Sequence, residues 1–308
     1  METVLITGGT GLVGTRLTEL LQQKKYKVTH LSRSKKNENN VITYTWDIKK
    51  ATIEEEAITT ANYIVHLTGA GIADKRWTTK RKKEIIDSRV KSANLLFEKI
   101  KTLGHPLKAF ISASAVGYYG AVTSEKIFTE SDPPANDYLG ETCRLWEAAA
   151  DQIGQTGTVT GRTIRTVKLR TGVVLSDKGG VLEKMMQPIR YFLGAPLGNG
   201  KQYMPWIHID DLCRIYIKAI EDEKLQGAYN AVAPAHVTNK ELTKAIAKTL
   251  NKPLFLPNVP GWLLEIVLGE IGEVALKGSR VSCEKIIKAG FEFQFPELEG
   301  ALNSLLKK

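Results

Sequence analysis

Near its start the chain reads Val4-Leu5-Ile6-Thr7-Gly8-Gly9-Thr10-Gly11-Leu12-Val13-Gly14. The apolar residues before the glycines predict a buried strand, and the leucines spaced between residues 12 and 21 predict an amphipathic helix after them. Gly8, Gly11 and Gly14 then lie in the connecting turn. Because glycine has no Cβ, a phosphate can approach the backbone N–H groups and the positive end of the helix dipole. The pattern predicts a turn that binds a dinucleotide pyrophosphate, and the alternative is a tight turn without a ligand.

Short apolar runs alternate with helical patterns through the first half of the chain. Further strands are predicted at residues 28–31, 41–45, 63–67, 109–112 and 165–169. A long helix is predicted to begin near Thr79, with apolar residues at steps of four and three. Strands that alternate with helices form a parallel sheet covered on both faces. The predicted fold class is therefore α/β, a Rossmann-type doubly wound parallel sheet.

The residues after the second predicted strand indicate which dinucleotide fits. In proteins that bind NAD, an Asp or Glu here binds the adenosine ribose and repels a 2′-phosphate. This chain has Ser32-Arg33-Ser34-Lys35-Lys36 instead, and the next acidic residue is Glu38. Arg33 can bind a phosphate through two N–H groups, with Ser32 or Ser34 as a hydroxyl donor. We therefore predict NADP as the cofactor, with Asp47 either at the adenine amino group or in a turn.

The pattern of the chain changes after residue 170, where glycines and prolines become frequent. Helices are predicted from about residue 181 and at residues 210–220, 239–250 and 296–306, and Pro253, Pro257 and Pro260 mark a turn-rich stretch before the last one. We predict an NADP-binding Rossmann domain at residues 1–170 and a smaller α+β substrate region at residues 171–308. Residues 206–222 are expected to pack back on the Rossmann domain.

The positive charge of the chain is concentrated in its first third. The 308 residues have 43 Lys and Arg against 33 Asp and Glu, and residues 1–101 alone carry 19 basic and 11 acidic side chains. Such an excess suits nucleic acid, membrane surfaces or phosphorylated ligands. The basic cluster at residues 75–83 contains only one aromatic residue, Trp77, and is followed by Glu84 and Asp87. We predict a solvated helix start there and no nucleic-acid partner.

Metal, disulfide and membrane classes are disfavoured by the rest of the composition. Cys143, Cys213 and Cys283 are far apart in the sequence, which favours neither a disulfide framework nor a zinc site. No apolar run approaches the roughly 20 residues that cross a bilayer. His208 with Asp210 and Asp211 is interpreted as the start of a helix rather than as a metal site. The expectation is a cytoplasmic protein with no metal and no membrane partner.

Three further motifs accompany the glycine-rich turn: His66-Leu67-Thr68-Gly69-Ala70-Gly71, Ser112-Ala113-Ser114-Ala115-Val116-Gly117-Tyr118-Tyr119-Gly120 and Trp206-Ile207-His208-Ile209-Asp210-Asp211. With them the whole chain resembles the extended short-chain dehydrogenase/reductases, and within these the epimerase family proteins, which are related to nucleotide-sugar epimerases. The resemblance implies NAD(P) chemistry on a Rossmann-type fold. The predicted cofactor-binding residues are Gly8, Thr10, Gly11, Leu12, Val13, Gly14, Ser32, Arg33, Asp47, Leu67, Thr68, Gly69 and Ala70.

The resemblance also implies the catalytic candidates. Family members usually carry a Ser after the fifth strand and a Tyr-x-x-x-Lys on the next helix, where the Lys lowers the pKa of the Tyr that exchanges a proton with the substrate. Here Ser114 matches, with Ser112 as a substitute, and Tyr138 matches, but Thr142 stands at the position of the Lys. Without a neighbouring cation only about one Tyr in a thousand is ionised at neutral pH. Tyr138 is then either a neutral proton donor during carbonyl reduction or a packing residue.

Other residues keep these alternatives open. Arg144 could replace the Lys, although it is not on the same helical face as Tyr138, and Tyr118 and Tyr119 are rival proton donors. Arg170 and the loop at residues 198–202 are candidate contacts to an anionic substrate. We expect an NADP(H)-binding, epimerase-like oxidoreductase whose small-molecule substrate, anionic or sugar-like, the sequence does not identify. The alternative is a non-catalytic NADP(H)-binding or sensing protein, and the oligomeric state stays open, a dimer included.

Overall fold

The computed structural model describes residues 1–35, 41–155 and 163–307. Its strands are β1 (Thr3–Thr7), β2 (Lys27–Ser32), β3 (Ile42–Asp47), β4 (Thr52–Ile53), β5 (Tyr63–His66), β6 (Ala109–Ala115), β7 (Ile127–Phe128), β8 (Arg165–Thr171), β9 (Val173–Leu175), β10 (Trp206–His208), β11 (Gly227–Ala231) and β12 (Arg280–Val281). Its helices are α1 (Leu12–Gln23), α2 (Glu56–Thr59), α3 (Thr79–Leu103), α4 (Tyr138–Gly154), α5 (Val181–Arg190), α6 (Ile209–Glu221), α7 (Asn239–Thr249), α8 (Gly261–Leu268), α9 (Glu270–Ala275), α10 (Glu284–Lys288) and α11 (Leu298–Leu306), and a 3-10 helix covers Val116–Tyr119. Within these described ranges no helix is both long and apolar enough to cross a bilayer.

Eight strands form one sheet in the order β11-β8-β6-β5-β1-β2-β3-β4. All neighbours pair in parallel except the short edge strand β4, which runs antiparallel to β3. From β1 the chain builds the sheet first through β2 and β3 and then, on the other side, through β5, β6 and β8. This reversal leaves a crevice at the carboxyl ends of β1 and β5, where open α/β sheets bind ligands. The predicted α/β, Rossmann-type doubly wound sheet is confirmed.

Alternate residues of β1 are buried against helices on opposite faces of the sheet, as the two-residue period of a strand requires. Val4 and Ile6 belong to a core cluster that includes Leu17 of α1, whereas Leu5 belongs to a second cluster that includes Leu96 of α3. All three β1 side chains are fully buried. A fully buried aliphatic side chain contributes about 1.5–3 kcal/mol, so the strand before the glycines is held firmly on both sides.

The second half of the chain returns to the first sheet twice. Helix α6 packs along α1, and β11 extends the sheet beside β8. The fully buried carboxylate of Asp211, on α6, accepts hydrogen bonds of 2.9 Å from the backbone N–H groups of Gln294 and Phe295. These bonds tie the segment before α11 to the face of the sheet that carries α1. The division of the chain at residue 170 stays a prediction.

Three helices, α8, α9 and α10, lie in or after the stretch that the sequence analysis treats as turn-rich. The prolines do not interrupt them. Pro260 is the residue directly before the first turn of α8, a position where a missing N–H costs nothing. A run of three prolines therefore precedes this helix instead of excluding it.

His66, the last residue of β5, fastens the two central strands to α3. Its side chain is fully buried, with Nδ1 2.8 Å from the Thr7 hydroxyl at the end of β1 and Nε2 3.0 Å from the Ser92 hydroxyl on α3. The Thr7 oxygen also accepts the backbone N–H groups of Leu67 and Thr68, at 3.2 and 3.3 Å. Burial lowers the pKa of His66 to about 3, so the ring is neutral at physiological pH.

This buried ring predicts how stability changes with pH. Between pH 6.5 and 3 an unfolded His binds a proton that His66 in the folded chain does not, so acid favours unfolding and the free energy of unfolding falls as pH falls. From pH 7 to pH 5 the loss through His66 is about 2 kcal/mol. Urea unfolding at the two pH values measures it. His66→Gln should reduce this pH-dependent loss by about that amount, because glutamine does not titrate. An unchanged pH dependence in His66→Gln would contradict the assignment.

Candidate active site

The glycine-rich turn joins β1 to α1 at the carboxyl edge of the sheet. Gly8 has φ +72°, in the left-handed region that favours glycine, and a Cβ there would lie 3.2 Å from the backbone of Leu67 in the neighbouring loop. A Cβ on Gly14 would collide with the carbonyl of Gly8. At Gly11, by contrast, a Cβ would meet the Gly8 carbonyl at 3.3 Å and otherwise open space. The turn is closely packed on its inner side and open on its outer side.

The first turn of α1 leaves its N–H groups available to a ligand. Gly11 is the N-cap residue, no side chain caps the helix, and no acidic residue stands in the first turn. A helix start without a capping side chain presents unpaired donors and the positive end of the dipole. Such a start suits a diphosphate, which supplies the acceptors that the protein does not.

All the predicted cofactor-binding residues lie along one edge of the sheet. They follow four neighbouring strands: Gly8 to Gly14 after β1, Ser32 and Arg33 at the end of β2, Asp47 at the end of β3, and Leu67 to Ala70 after β5. The structure therefore brings them together at the crevice. Asp47 uses one carboxylate oxygen to accept the backbone N–H groups of Lys49 and Lys50, at 2.8 and 3.1 Å, which is the geometry of a turn residue. Its role toward adenine stays a prediction.

The basic residues after β2 differ in their surroundings. The Arg33 side chain is exposed, whereas the Lys35 ammonium is 3.2 Å from a carboxylate oxygen of Glu54. The other Glu54 contact is a 2.7 Å hydrogen bond from the Thr45 hydroxyl on β3. Lys36 and Glu38, which the sequence analysis considered, lie outside the described residues. Of the basic residues described here, Arg33 is the cation best placed to bind an added phosphate.

Ser114 belongs to a buried polar network behind the end of β6. Its hydroxyl donates a 2.7 Å hydrogen bond to Glu147 of α4. The two carboxylate oxygens of Glu147 accept Nε and one terminal nitrogen of Arg170, on β8, at 2.8 and 2.9 Å. Arg170 also donates to the hydroxyl of Tyr119 at 2.9 Å, and that hydroxyl donates to the side chain of Asn230. All five side chains are buried, so the network joins β6, α4, β8 and β11.

This network changes the interpretation of several candidates. Arg170 is buried and paired with Glu147, which contradicts its candidacy as a contact to an anionic substrate. Tyr119 is fully buried and its hydroxyl is hydrogen-bonded to both Arg170 and Asn230, so it is not placed to donate a proton to a ligand. The ring of Tyr118 lies 3.4 Å under the Arg170 guanidinium. Ser112 is fully buried and donates to the carbonyl of Ala113, which leaves Ser114 as the better placed serine.

Tyr138 is the first residue of α4 and is half-buried against α3. Its ring centre is 4.8 Å from that of Trp77, and its hydroxyl donates to the backbone carbonyl of Lys82 at 3.1 Å. The hydroxyl of Thr142 donates to the Tyr138 carbonyl, one turn back in the same helix. Arg144 pairs with Glu141 on the exposed face of α4, so it does not replace the family's Lys. Ser114 and Tyr138 thus have different hydrogen-bond partners.

The cations near Tyr138 come from α3, which sequence spacing does not reveal. The ammonium of Lys82 is 5.1 Å from the centre of the Tyr138 ring. Burial raises the pKa of Tyr138, and the Thr142 hydroxyl and the charges of Arg89 and Arg81 act in the opposite direction. The net shift keeps the Tyr138 hydroxyl protonated at neutral pH. The positive charge that the family's Lys would place near Tyr138 therefore comes from α3 and not from position 142.

Arg89 is the most deeply placed of these cations. It is 7% exposed and donates to the carbonyls of Ala70 and Ile85, at 3.0 and 2.9 Å, while its guanidinium lies 4.8 Å from the centre of the Trp146 ring. Its Nε has no hydrogen-bond partner within the described ranges. A Cβ on Gly69 would lie 2.8 Å from this guanidinium, so any larger residue there would displace the Arg89 side chain. Arg89 fixes the loop after β5, which the sequence analysis assigns to the cofactor.

The expectation that residues 75–83 form a solvated helix start is wrong for Arg81, and Arg76 and Lys82 are bound to other parts of the chain although they keep solvent exposure. Arg81 is buried and donates to the carbonyl of Gly71 at 2.6 Å. Arg76 donates to the carbonyls of Ile266 and Val267 at the end of α8, the second at 2.8 Å, and Lys82 pairs with Glu270 of α9. Through these contacts the three side chains connect the start of α3 to the loop after β5 and to the helices α8 and α9.

A cavity of about 500 Å³ opens beside the glycine-rich turn. Its walls include Thr10 to Leu12, the loop at residues 176–180, the start of α6 and the end of α11. His208 caps α6 by accepting the Asp210 N–H at 3.0 Å, and its ring stacks on Phe295 with centres 3.9 Å apart. Asp210 pairs with Arg16 at 2.6 Å. His208, Asp210 and Asp211 therefore hold helices and loops, and no metal-binding group of His, Cys, Asp and Glu occurs within the described part of the chain.

Comparison with known proteins gives matches along the whole chain. Residues 4–231 match the model of the NAD dependent epimerase/dehydratase family, and residues 259–305 match a domain of unknown function, DUF1731. The mouse epimerase family protein SDR39U1 is 34% identical over 98% of this chain and 99% of its own length. The crystal structure of human SDR39U1 (isoform 2) with NADPH has a TM-score of 0.88, 32% identity and 99% coverage of both chains. A nucleoside-diphosphate sugar epimerase from Corynebacterium glutamicum has a TM-score of 0.79 and 32% identity, covering 99% of this chain and 58% of that one.

The buried network predicts a contrast between two glutamates of α4. Glu147→Gln removes the charge that compensates buried Arg170, so the free energy of unfolding should fall by about 3–5 kcal/mol. Glu141→Gln breaks an exposed Arg pair on the same helix and should cost less than about 1 kcal/mol. Urea unfolding followed by circular dichroism measures both. Equal, small losses would mean that the Glu147–Arg170 pair is not buried as described.

Proposed function

The chain belongs to the NAD-dependent epimerase/dehydratase family, and we propose that it is an NADP(H)-dependent, epimerase-like oxidoreductase with a small-molecule substrate. The predicted resemblance to epimerase family proteins is confirmed by the matches to the mouse and human proteins. The observation that carries the cofactor choice is the end of β2, where Arg33 is exposed while Lys35 is paired with Glu54. The human relative solved with NADPH supports the same choice.

The residues at the crevice fit a dinucleotide phosphate. The pyrophosphate would take the free N–H groups at the start of α1, next to the open side of Gly11. Arg33, with Ser32 beside it, would hold the 2′-phosphate through charge-assisted hydrogen bonds. The loop at residues 67–70, fixed by Thr7 and Arg89, would lie along the cofactor. When bound, the nicotinamide supplies or accepts a hydride.

Tyr138 is proposed as the group that donates a proton to the substrate oxygen. Because its pKa lies above the ordinary value near 10, it holds its proton at neutral pH and acts as an acid rather than a base. This favours the direction of carbonyl reduction, in which the oxygen gains a proton. Its present hydrogen bond to the Lys82 carbonyl is exchangeable, since Tyr138 is half-buried. The charges of α3 would then stabilise negative charge on the reacting oxygen.

Ser114 is proposed to orient the carbonyl oxygen of the substrate by donating a hydrogen bond to it. The Ser114 hydroxyl donates its hydrogen bond to Glu147, so this hydrogen bond must break before Ser114 can donate to a substrate. The substrate is proposed to be a small carbonyl or a sugar carried by a nucleotide, as the Corynebacterium relative's description indicates for that protein. We propose a cytoplasmic location.

A second candidate function is a non-catalytic protein that binds NADP(H). Two observations favour it. The Thr142 hydroxyl donates a hydrogen bond to the Tyr138 carbonyl, and the Ser114 hydroxyl donates one to Glu147. Neither group is free to act in the way that the family's Ser and Lys act. Cofactor binding without turnover would distinguish this candidate from the enzyme.

Arg33 and Lys35 give a matched test of the cofactor choice. Arg33→Ala should weaken NADPH binding at least about tenfold, because a charge-assisted hydrogen bond is worth about 1.5–3 kcal/mol, and should leave NADH binding unchanged. Lys35→Ala should change NADPH affinity less than about threefold, since Glu54 already neutralises it. Isothermal titration calorimetry at fixed ionic strength measures all four affinities. Equal affinity for NADH and NADPH in the unmodified protein would contradict the choice of NADP.

Tyr138 and Tyr118 give the matched test of turnover. NADPH oxidation with a panel of small carbonyls and nucleotide sugars should be lost by about 10²–10⁴-fold in Tyr138→Phe, the range for a general acid. Tyr118→Phe keeps the ring under Arg170 and should retain turnover within a few-fold. NADPH binding should be unchanged in both variants. NADPH binding with no turnover on any substrate would instead support the non-catalytic candidate.

A further inference from the structure

Arg89 of α3 is a buried cation that no acidic side chain neutralises within the described ranges. Its hydrogen bonds go to the uncharged carbonyls of Ala70 and Ile85, at 3.0 and 2.9 Å, and its Nε has no partner in the same part of the chain. The side chain is only 7% exposed. A buried charge without a counter-charge is costly to the fold. The place of this charge therefore calls for a reason other than stability.

Arg81, about two turns earlier on α3, is the matched case. It is also buried, and it donates to the carbonyl of Gly71 at 2.6 Å, which is the next carbonyl along the loop that Arg89 holds. Unlike Arg89, it lies close to two carboxylates, those of Glu84 at 2.8 Å and Asp74 at 3.8 Å. Two buried arginines thus hold the same loop, and the chain neutralises the charge of only one of them.

The guanidinium of Arg89 lies between the loop after β5 and helix α4. A Cβ on Gly69 would be 2.8 Å from it, and it lies 4.8 Å from the centre of the Trp146 ring. Its charge also acts on Tyr138, whose pKa burial raises and Arg89 lowers. The uncompensated charge is therefore on the side of the crevice that carries Tyr138.

Other charges beside Tyr138 and behind α4 are paired. The Lys82 ammonium pairs with Glu270 of α9. The Glu147 carboxylate is bonded through both of its oxygens to Arg170. These pairs leave the charge of Arg89 uncancelled.

The proposed function brings one end of the cofactor to this side of the crevice, and the inference rests on it. Arg33 at the end of β2 would hold the 2′-phosphate, and the start of α1, after β1, would hold the diphosphate. The sheet continues from β2 and β1 to β5 and β6, with about 4.8 Å between neighbouring strands. A dinucleotide bound along this edge in that direction reaches the loop after β5 with its nicotinamide half.

The two redox forms of the cofactor differ in charge at that end. The oxidised nicotinamide ring carries one positive charge and the reduced ring carries none, whereas the phosphates of the two forms are the same. Two like charges on the order of 10 Å apart in a protein repel by an energy that corresponds to about tenfold in an equilibrium constant. We propose that Arg89 makes the site select NADPH over NADP⁺, because its uncompensated charge disfavours the positively charged ring.

Isothermal titration calorimetry of the full chain with NADPH and with NADP⁺ tests this selection. The unmodified protein should bind NADPH at least about tenfold more tightly than NADP⁺. Arg89→Met keeps a long side chain without the charge and should lower this ratio of affinities at least about fivefold, whereas Arg89→Lys keeps the charge and should keep the ratio within about twofold. Loss of the loop contacts alone would weaken both forms equally and leave the ratio unchanged.

Arg81→Met is the matched control. It removes a buried charge that holds the same loop but is already neutralised by Glu84, so the ratio should change less than about twofold. The compound 2′-phospho-ADP-ribose has the phosphates without the nicotinamide ring. Its affinity should change in Arg89→Met as that of NADPH does, and not as that of NADP⁺ does. Circular dichroism and thermal unfolding confirm that each variant is folded.

Equal affinities for NADPH and NADP⁺ in the unmodified protein overturn the inference, and this result needs no variant to fold. An unchanged ratio in Arg89→Met, or a fall of the same size in Arg81→Met, also overturns it. A protein that binds neither form overturns it together with the proposed cofactor. Because the ratio is measured by binding alone, it is obtained even where no substrate is turned over, so a failure of the proposed enzyme activity is distinguishable from a failure of this inference.

Discussion

The contact between the loops that follow β1 and β5 sets the position of the rest of the candidate site. The sheet reverses its strand order between these strands, so both loops leave the same edge and meet there. They fit because Gly8 adopts a positive φ and has no side chain to strike Leu67. The Thr7 hydroxyl accepts two N–H groups of the second loop and contacts the neutral ring of His66. These hydrogen bonds stabilise the fold only when every polar group among them is paired, because an unpaired polar group in the buried interior is costly.

The sequence predicted the sheet well because its signals are local. Each core strand was marked by a short apolar run, and the observed β1, β2, β3, β5, β6 and β8 lie within a few residues of the predicted ranges. The glycine turn and Arg33 were read from positions relative to those strands. What the sequence did not give is which distant side chains meet. The charge of Arg89 and the ammonium of Lys82 act on Tyr138 from α3, about 50 residues earlier in the chain. The spacing of residues within α4 carries no information about them. Helix α8 was missed because prolines precede it and its apolar residues face outward.

Burial explains how the positive charge of the first third is used. Arg81 and Arg89 are buried, and each donates a hydrogen bond to a backbone carbonyl in the loop at residues 70–71. Desolvation lowers the pKa of Arg89, but an arginine starts so high that it remains charged. A lysine would not hold the two carbonyls in the geometry of the guanidinium that lies over Trp146. The net charge of the chain is therefore partly structural, and only the exposed share, Arg33 included, is left for anions in solution.

Lys82 touches both halves of the molecule, since its ammonium lies over the Tyr138 ring and also pairs with Glu270 of α9. A displacement of α9 would have to break that pair and would alter the charge next to Tyr138. The coupling is reciprocal. If displacement of α9 changes the affinity for a ligand at Tyr138, then binding of that ligand changes the free energy of displacing α9 by the same amount. Lys82 thus links the position of the C-terminal helix α9 to the charge beside Tyr138.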